Sequence, residues 1–458
     1  MPPKFGTSGL RGLVTELTEE LVANYTRAFL SACDIGAGLF VGHDLRPSSP
    51  DLAQVLISTA RAEGVDVTDC GHVPTPALAL ASMRAEAAAV MVTGSHIPAD
   101  RNGLKFYSPK GEITKADETA ILARLGRPAA DTTPGRLSVN SSAGRDWVER
   151  YVTAFGNRAL AGRRIGIWSH SAVSRDLLVH AMSALGASAI EVGRVKRFIP
   201  LDTEAVPDWA RTSIRAWVDE FDLDALVSTD GDGDRPLLAD DTGAVIPGDI
   251  LGQITAQLLR AETVVTPVTS NSGAELSGQF MRVLRTKVGS PFVIAGMEAV
   301  GGRVVGYEAN GGFLLGFDAA IEAPLPMLMT RDSMLPIVAT LATANGKPLS
   351  SLLACQPQRR TAANRIEGVP IDRAAATIAR LTASDENSNA FLTALGEEQA
   401  SRNMIDGLRL VCASSRIVHL RPSGNAPEFR VYVEAETADR AEDLLQKAIH
   451  ELSRQLHA

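Results

Sequence analysis

A chain of 458 residues carrying a net charge of −8 is too long for one core and too acidic for a nucleic-acid binder, which needs a basic patch. Its four cysteines, Cys33, Cys70, Cys355 and Cys412, have no C-x-x-C spacing, so neither a zinc site nor a disulfide framework is indicated. Met1 to Gly6 lacks the apolar stretch of a signal peptide. The most apolar run, residues 76–92, is interrupted by Arg84 and Glu86 short of a membrane span, so a reducing cytoplasm is expected.

The first motif is Gly6-Thr-Ser-Gly-Leu-Arg-Gly12, which sets Arg11 among small residues whose backbone N–H groups suit a phosphate. No G-K-[ST] follows, so it is not an ATP-binding loop. An apolar strand then recurs three times, each followed by a polar turn, a helix-period segment and a short return to glycine. The copies run 39–44, 51–63 and 64–71; then 165–170, 175–185 and 186–193; then 264–269, 275–285 and 286–289. The strands are continuous apolar runs, as when helices cover both faces of a sheet. In the second helix Leu177, Leu178, Met182 and Leu185 recur at helical spacing and predict one buried face. The fold class expected is α/β, with three tandem similar α/β domains built on mixed sheets.

Beyond the first copy, the small-residue strand 87–92 runs into Thr93-Gly-Ser-His96. A serine at a strand's end in a Gly/Pro-framed loop is displayed. No G-x-S-x-G elbow surrounds it, so a hydrolase triad is unsupported. Ser95 is then either a carrier of phosphate or a plain turn serine. His96 either orients it or satisfies a loop carbonyl. Lys105, on the short strand that follows, is a proton carrier, a phosphate counterion or a surface lysine.

The strand 223–227 leads into Asp230-Gly-Asp-Gly-Asp-Arg235. Aspartates at i, i+2 and i+4, with glycines between, can converge on one hard cation. An EF-hand would need Gly and Glu where Arg235 and Asp241 stand, so that reading fails. Three carboxylates without the rest of that cage leave room for a phosphate oxygen, as magnesium sites do; a solvated acidic turn is the bland alternative. Further on, Glu308 and Asn310 lie between glycines and point the same way from an extended loop, a pattern suited to vicinal hydroxyls.

The last hundred residues predict a smaller α+β domain. Strands at 417–420 and 429–435 flank a Pro/Gly turn, and a helix over 437–456 places Ala441, Leu444, Leu445 and Ile449 on one face. Arg421, Ser423, Gly424, Asn425 and Arg430 form a phosphate cradle of two guanidinium forks, a hydroxyl, an amide and exposed backbone. Domain boundaries are expected at 1–135, 136–243, 244–355 and 356–458.

Taken together and in this order, G-T-S-G-x-R-G, T-x-S-H-x-P, D-G-D-x-D-R, G-x-E-x-x-G and R-P-S-G resemble the α-D-phosphohexomutase family across the whole chain. The sugar loop looks most like the family's phosphomannomutase branch. The resemblance implies four domains around a central cleft and a hexose 6-phosphate/1-phosphate interconversion through a hexose 1,6-bisphosphate. It implies Ser95 as phosphoserine, with Asp230, Asp232 and Asp234 beside it on Mg2+. Arg11, His96 and Lys105 would serve catalysis, Arg235, Glu308 and Asn310 the sugar phosphate, and residues 421–430 the distal phosphate. Sugar phosphates would be its partners, with no nucleic acid or membrane, in a monomer or weak homodimer. Departures are Gly94 and Ile97 where many members have Ala and Asn, Asn310 for serine, Gly312 for histidine, and Asn425-Ala426 for Thr-Glu. Phosphoglucomutase and phosphoglucosamine mutase are the nearest rival readings. A metal-dependent glycosyltransferase and a sugar-phosphate binder without turnover are the rivals from other classes.

Overall fold

The structure, a computed structural model, describes residues 3–6, 9–423 and 427–457. The chain packs as two units, Met1–Val264 with Gly289–Leu353, and Val265–Val288 with Ala354–Ala458. Among the described residues no helix is long and apolar enough to cross a membrane.

The first unit begins with an eight-stranded mixed sheet. Its order is Lys4–Phe5, Leu10–Leu13, Arg101–Ser108, Ala88–Val92, Leu39–His43, Val67–His72 and Leu137–Val139, with Gly111–Glu112 paired to Arg101–Ser108. Leu39–His43 runs parallel to both neighbours, whereas Arg101–Ser108 is antiparallel to its own. Val41 and Val90 join a core with Phe29 and Leu56, while Gly42 faces Leu78 on helix Thr75–Arg84. Adjacent strand residues point to opposite faces, so helices cover both sides. This is why all five residues of Ala88–Val92 are apolar and wholly buried. Helix Glu19–Ala32 starts where the Thr18 hydroxyl accepts from the Leu21 N–H, with Glu19 and Glu20 in its positive first turn.

A second sheet repeats the plan with Ser188–Val192, Arg164–Trp168 and Ala225–Thr229 parallel and Pro236–Ala239 antiparallel at the end. Trp168, Leu226, Ile214 and Val218 bind helix Asp208–Phe221 to it. Both the Ala88–Val92 and Ala225–Thr229 strands thus deliver a loop from their C-terminal ends, the end at which open α/β sheets present ligand sites. The rest of the unit pairs Val304–Tyr307, Phe313–Leu315 and Leu328–Asp332 antiparallel, with a bulge before Asp332.

The third repeat departs from expectation. The helix predicted over 275–285 is a single turn, Gly273–Ser277, halted by Gly278 in the left-handed region at φ 62°, and Arg282–Thr286 is a strand. Arg285 explains the change: it donates to the carbonyls of Pro267, Ser270 and Asn271 and to Glu275, bonds that draw it back along the loop.

The second unit's sheet is antiparallel throughout: Arg360–Glu367, Glu428–Ala435, Ile417–Pro422, Leu408–Cys412 and Gln399–Asn403. Helix Ala438–His457 lays Ala441, Leu444, Leu445 and Ala448 on it. The two strands and the helix expected from sequence are present. Three further strands and the helices Ile371–Thr382 and Asp385–Ala394 were not foreseen there.

Close packing of a helix on the hairpin that carries Glu308 yields a first prediction. A Cβ on Gly252, within helix Gly248–Leu258, would lie 2.7 Å from the ring carbons Cδ1 and Cδ2 of fully buried Tyr307. Gly252→Ala gains about 1 kcal/mol of helix propensity. It should nevertheless lower stability in urea titration by about 1–3 kcal/mol net, because the core is overpacked.

Candidate active site

The loop after Ala88–Val92 is built around a buried arginine. Arg46, 1% exposed, donates to the carbonyls of Pro98 at 2.7 Å, Arg101 at 2.9 Å, Ser95 at 2.8 Å and Ile97 at 2.6 Å. Asp44 fixes its Nε at 3.2 Å and also accepts from the hydroxyls of Ser49 and Thr93. The Thr93 hydroxyl in turn accepts from the Ser95 N–H at 2.8 Å. Held in this way, Ser95 takes a φ of 54°, a left-handed conformation rare for residues with a Cβ. A Cβ on Gly94 would lie 2.7 Å from Cζ of Arg46, so the glycine in this loop makes room for the guanidinium.

The aspartate loop meets this serine directly. Ser95 Oγ donates to Asp230 Oδ2 at 2.7 Å, the acidic partner that sequence alone did not place. A Cβ on Gly231 would come within 2.7 Å of the Ser95 carbonyl oxygen, so glycine there permits the approach. Asp230, Asp232 and Asp234 are all wholly buried, each with a carboxylate oxygen within 4.8 Å of the other two. Burial, and then repulsion from Asp232 and Asp234, pushes the Asp230 carboxyl well above its usual range. Burial works against Asp232 as well, but Lys105 and the Thr75 hydroxyl hold its carboxylate below that range. Oδ1 of Asp232 and Oδ1 of Asp234 are buried without a hydrogen-bond partner among the described residues. Two orphaned hard oxygens beside a third carboxylate fit a small divalent cation.

Cations ring the acids. Lys105 Nζ lies 2.5 Å from Asp232 Oδ2 and 2.6 Å from Asp234 Oδ2. It is therefore a buried counterion of this loop and not a surface lysine. Arg235 donates to His96 Nδ1 at 2.9 Å, and the same nitrogen is 3.3 Å from Ser95 Oγ. Since a guanidinium only donates, Nδ1 is unprotonated. Burial, with Arg235 and Arg11 nearby, pushes the His96 imidazole down to about 2, so it is neutral at ordinary pH. Of the two readings of His96, the structure supports the one that sets it against the serine. Arg11, opposite Gly103 in the sheet, forms no ion pair within 4 Å among the described residues. Burial and then Arg235 push it down to about 10, where it is still charged at neutral pH. Thr7 and Ser8 of its motif lie outside the described residues.

The segment with Glu308 and Asn310 is a tight turn and not the extended loop expected. Gly311 N–H bonds the Glu308 carbonyl at 2.9 Å, and Asn310 Oδ1 accepts from Gly312 N–H at 3.0 Å. The Asn310 side chain is thus spent partly on its own turn. Glu308 Oε2 is buried with no hydrogen bond among the described residues and is free to accept one. Burial raises the Glu308 carboxyl, while Arg331 and Arg235 oppose the rise.

Arg46 and Arg331 are among the residues of this site missed in the sequence, as is Thr75, whose hydroxyl donates to Asp232 Oδ2 at 2.7 Å. Arg46 lies a few residues past the first strand, with nothing local to mark it. Arg331, on strand Leu328–Asp332, reaches Asp234 Oδ2 at 3.0 Å, Glu112 Oε1 at 3.4 Å and Glu308 Oε2 at 3.7 Å. The one signal for it was Gly312, a position emptied of its usual histidine in a loop that needs a cation.

The second unit, taken by itself, holds the phosphate-cradle residues. Arg421 and Arg430 are directly opposite on antiparallel strands. Two like charges so placed repel, and each has an acid: Asp406 at 2.8 Å from Arg421 and Glu428 at 3.4 Å from Arg430. Asp406 also accepts from the Val288 N–H and, through its carbonyl, bonds His419. Ser423 is buried, its N–H on the Glu428 carbonyl. Gly424 and Asn425 lie outside the described residues.

Comparison with known proteins places the chain in a family. Residues 2–130 match the family description "phosphoglucomutase/phosphomannomutase, alpha/beta/alpha domain I". Residues 240–359 match its alpha/beta/alpha domain III, and 369–451 its C-terminal domain. The chain is 46% identical over 468 residues to a phosphomannomutase of Sinorhizobium fredii, covering 98% of each. It is 39% identical over 465 residues to a phosphomannomutase of Salmonella muenchen, covering 99% of this chain and 96% of that one. A phosphoglucomutase/phosphomannomutase family protein of Burkholderia thailandensis shares the fold with a TM-score of 0.78. Its identity is 20%, over 98% of this chain and 97% of that chain.

The serine loop gives a second prediction. Gly94→Ala should destabilise the protein by about 1–3 kcal/mol, because Arg46 is held by four carbonyls and cannot swing aside. Combined with Arg46→Lys, whose shorter stem leaves space, the same change should cost measurably less. Chemical denaturation of the two single variants and the double variant tests this; simple additivity would refute the steric account.

Proposed function

This chain belongs to the phosphoglucomutase/phosphomannomutase family and is a mutase, an isomerase, and we propose that it interconverts mannose 6-phosphate and mannose 1-phosphate. The observation that carries the mechanism is Ser95 Oγ lying 2.7 Å from the buried aspartate triad, under a ring of cations. On this reading Ser95 carries the phosphoryl group and passes it to the free sugar hydroxyl. The resulting hexose 1,6-bisphosphate turns over and returns its other phosphate to Ser95. One P–O bond breaks as another forms in each half-reaction. In the first the attacking sugar hydroxyl gives up its proton and the released serine oxygen takes one up; in the second the serine hydroxyl gives up its proton and the released sugar oxygen takes one up.

Asp230, Asp232 and Asp234 would hold Mg2+, which supplies charge neutralisation for a phosphoryl group on Ser95. Arg11 and Lys105 are placed to stabilise the charge on the moving group, the main protein contribution to phosphoryl transfer. His96, kept unprotonated on Nδ1 by Arg235, orients the serine side of the site and does not act as an acid. Glu308 accepts from a sugar hydroxyl through Oε2, which makes no hydrogen bond among the described residues and has Arg331 at 3.7 Å, and Asn310 shapes the turn beside it. Arg235 steadies the aspartate loop and the incoming phosphate. Arg421, Ser423, Gly424, Asn425 and Arg430 bind the phosphate that is not reacting. The domain boundaries at 1–135, 136–243, 244–355 and 356–458 belong to the same reading. Mannose is preferred over glucose and glucosamine because two relatives at 46% and 39% identity carry the phosphomannomutase name, while the phosphoglucosamine mutases that match are below 30% identical.

Protein as isolated should carry about 80 Da of phosphate on the Ser95 peptide in intact-mass and peptide mapping. Ser95→Ala should abolish turnover while still binding sugar phosphate. Chelation should stop the reaction and Mg2+ restore it, and Asp232→Asn should weaken Mg2+ in calorimetry. Parallel assays of mannose, glucose and glucosamine 1-phosphates should show the highest kcat/KM for mannose. Faster turnover of either rival sugar would move the chain to that branch, and full activity in Ser95→Ala would end the phosphoserine mechanism.

A further inference from the structure

Arg331 enters the mechanism above only as one cation of the ring around the aspartates. Its side chain is 4% exposed and lies among three acids that come from separate segments. Nη2 meets Asp234 of the aspartate loop at 3.0 Å, and Nη1 meets Glu308 of the sugar turn at 3.7 Å. Nε faces Glu112 Oε1 at 3.4 Å, and the other oxygen of Glu112 accepts from the Ser290 hydroxyl at 2.6 Å. Ser290 begins helix Ser290–Val300, so the guanidinium is braced from behind by an ordered element.

The sugar turn is shaped to admit this side chain. A Cβ on Gly312 would lie 3.0 Å from Cδ and 3.1 Å from Cγ of Arg331, and 3.2 Å from Asn310 Oδ1. Gly312 is not in the left-handed region, so backbone freedom does not explain the glycine. The space does: any larger residue would press on the arginine stem.

We propose that Arg331 is a positioning residue that ties the aspartate loop to the sugar turn and so sets the distance between the phosphoserine and the sugar hydroxyl acceptor, Glu308. A guanidinium is planar and rigid. With Nη2 at 3.0 Å from Asp234, the same plane sets the longer ion pairs of Nε with Glu112 and of Nη1 with Glu308, which are not hydrogen bonds. An ammonium on a flexible stem neutralises charge but cannot hold that spacing. Arg331 acts through Glu308 and Asp234; its consequence is alignment of sugar and phosphoryl group. Misplacement by about 1 Å costs phosphoryl transfer on the order of a hundredfold. The inference rests on the mutase reading of the same site.

The test is steady-state kinetics on mannose 1-phosphate with Arg331→Lys, Arg331→Met, Gly312→Ala, Glu308→Gln and the Arg331→Lys/Glu308→Gln double variant. Calorimetry of the same ligand on magnesium-depleted protein provides a readout that does not depend on turnover. Arg331→Lys should lower kcat by roughly a hundredfold while KM moves much less, and lysine should recover little of what methionine loses. Gly312→Ala should shift kcat in the same direction with unchanged circular dichroism. In the Glu308→Gln background Arg331→Lys should cost little more, since the two act as one unit. Calorimetric affinity should fall in parallel for Arg331→Lys and Glu308→Gln. If lysine restores wild-type kcat, or if the two changes are additive, Arg331 is only a counter-charge and the proposal falls. Should the Arg331 variants not fold, Gly312→Ala decides alone: an unchanged kcat overturns the idea. A wild-type enzyme inactive on every hexose phosphate would sink the mutase reading and this one with it, whereas active wild type with active variants removes only this one.

Discussion

Three carboxylates wholly removed from water cannot share one six-residue loop unless positive charge is brought to them, because the cost of burying each ion is several kcal/mol. Much of the first unit's architecture answers that requirement. Lys105 comes from a strand antiparallel to the serine strand, Arg331 from the strand paired with the hairpin that carries Glu308, and Arg235 from the loop itself. None of these three could be repositioned without leaving an uncompensated acid behind. The elements that carry them are thereby fixed against the aspartate loop, which is how a site drawn from distant parts of the sequence acquires one geometry.

The compensation is incomplete, and its gap has a direction. Oδ1 of Asp232 and of Asp234 have no hydrogen-bond partner among the described residues, while Asp230 is pushed toward its protonated form by burial and by Asp232 and Asp234, with its Oδ2 on the Ser95 hydroxyl. The unsatisfied oxygens and the serine therefore lie together. On the cationic side, Arg11 is partly buried yet paired with no acid within 4 Å among the described residues. A site with spare anionic oxygens on one side and a spare guanidinium on the other suits a cation and a phosphoryl group arriving together. It is a poor design for a purely structural ion cluster, where each charge would be consumed.

Most of the site's chemistry was legible in the sequence because it sits in short motifs whose spacing reflects local geometry. The aspartates at i, i+2 and i+4 and the serine at a strand's end are of this kind, and so is the strand on which Lys105 lies. Strand–helix–strand repetition likewise reports itself through continuous apolar runs. What was not legible depends on contacts made far along the chain. Arg46 bonds carbonyls of residues 95–101, and nothing near position 46 announces them. The third helix failed because Arg285 is held by loop carbonyls, and periodicity cannot register such a pull. Glu308 and Asn310 were placed together correctly, but the alternation argument assumed extended backbone where a hydrogen-bonded turn forms.

Two glycines show how such long-range demands do leave a trace. Gly94 and Gly312 differ from residues common in the family, and each looks in isolation like a loss of function or of order. In the structure each is the negative image of an arginine: Gly94 of Arg46, Gly312 of Arg331. Neither glycine is in the left-handed region, so conformational freedom is not what selects them. A missing Cβ beside a buried polar loop, where backbone geometry does not require it, therefore points to a large buried side chain arriving from elsewhere. The charge of that side chain follows from its neighbours: beside Gly94 four loop carbonyls accept from Arg46, and beside Gly312 the carboxylates of Asp234 and Glu308 face Arg331, so both places call for a guanidinium.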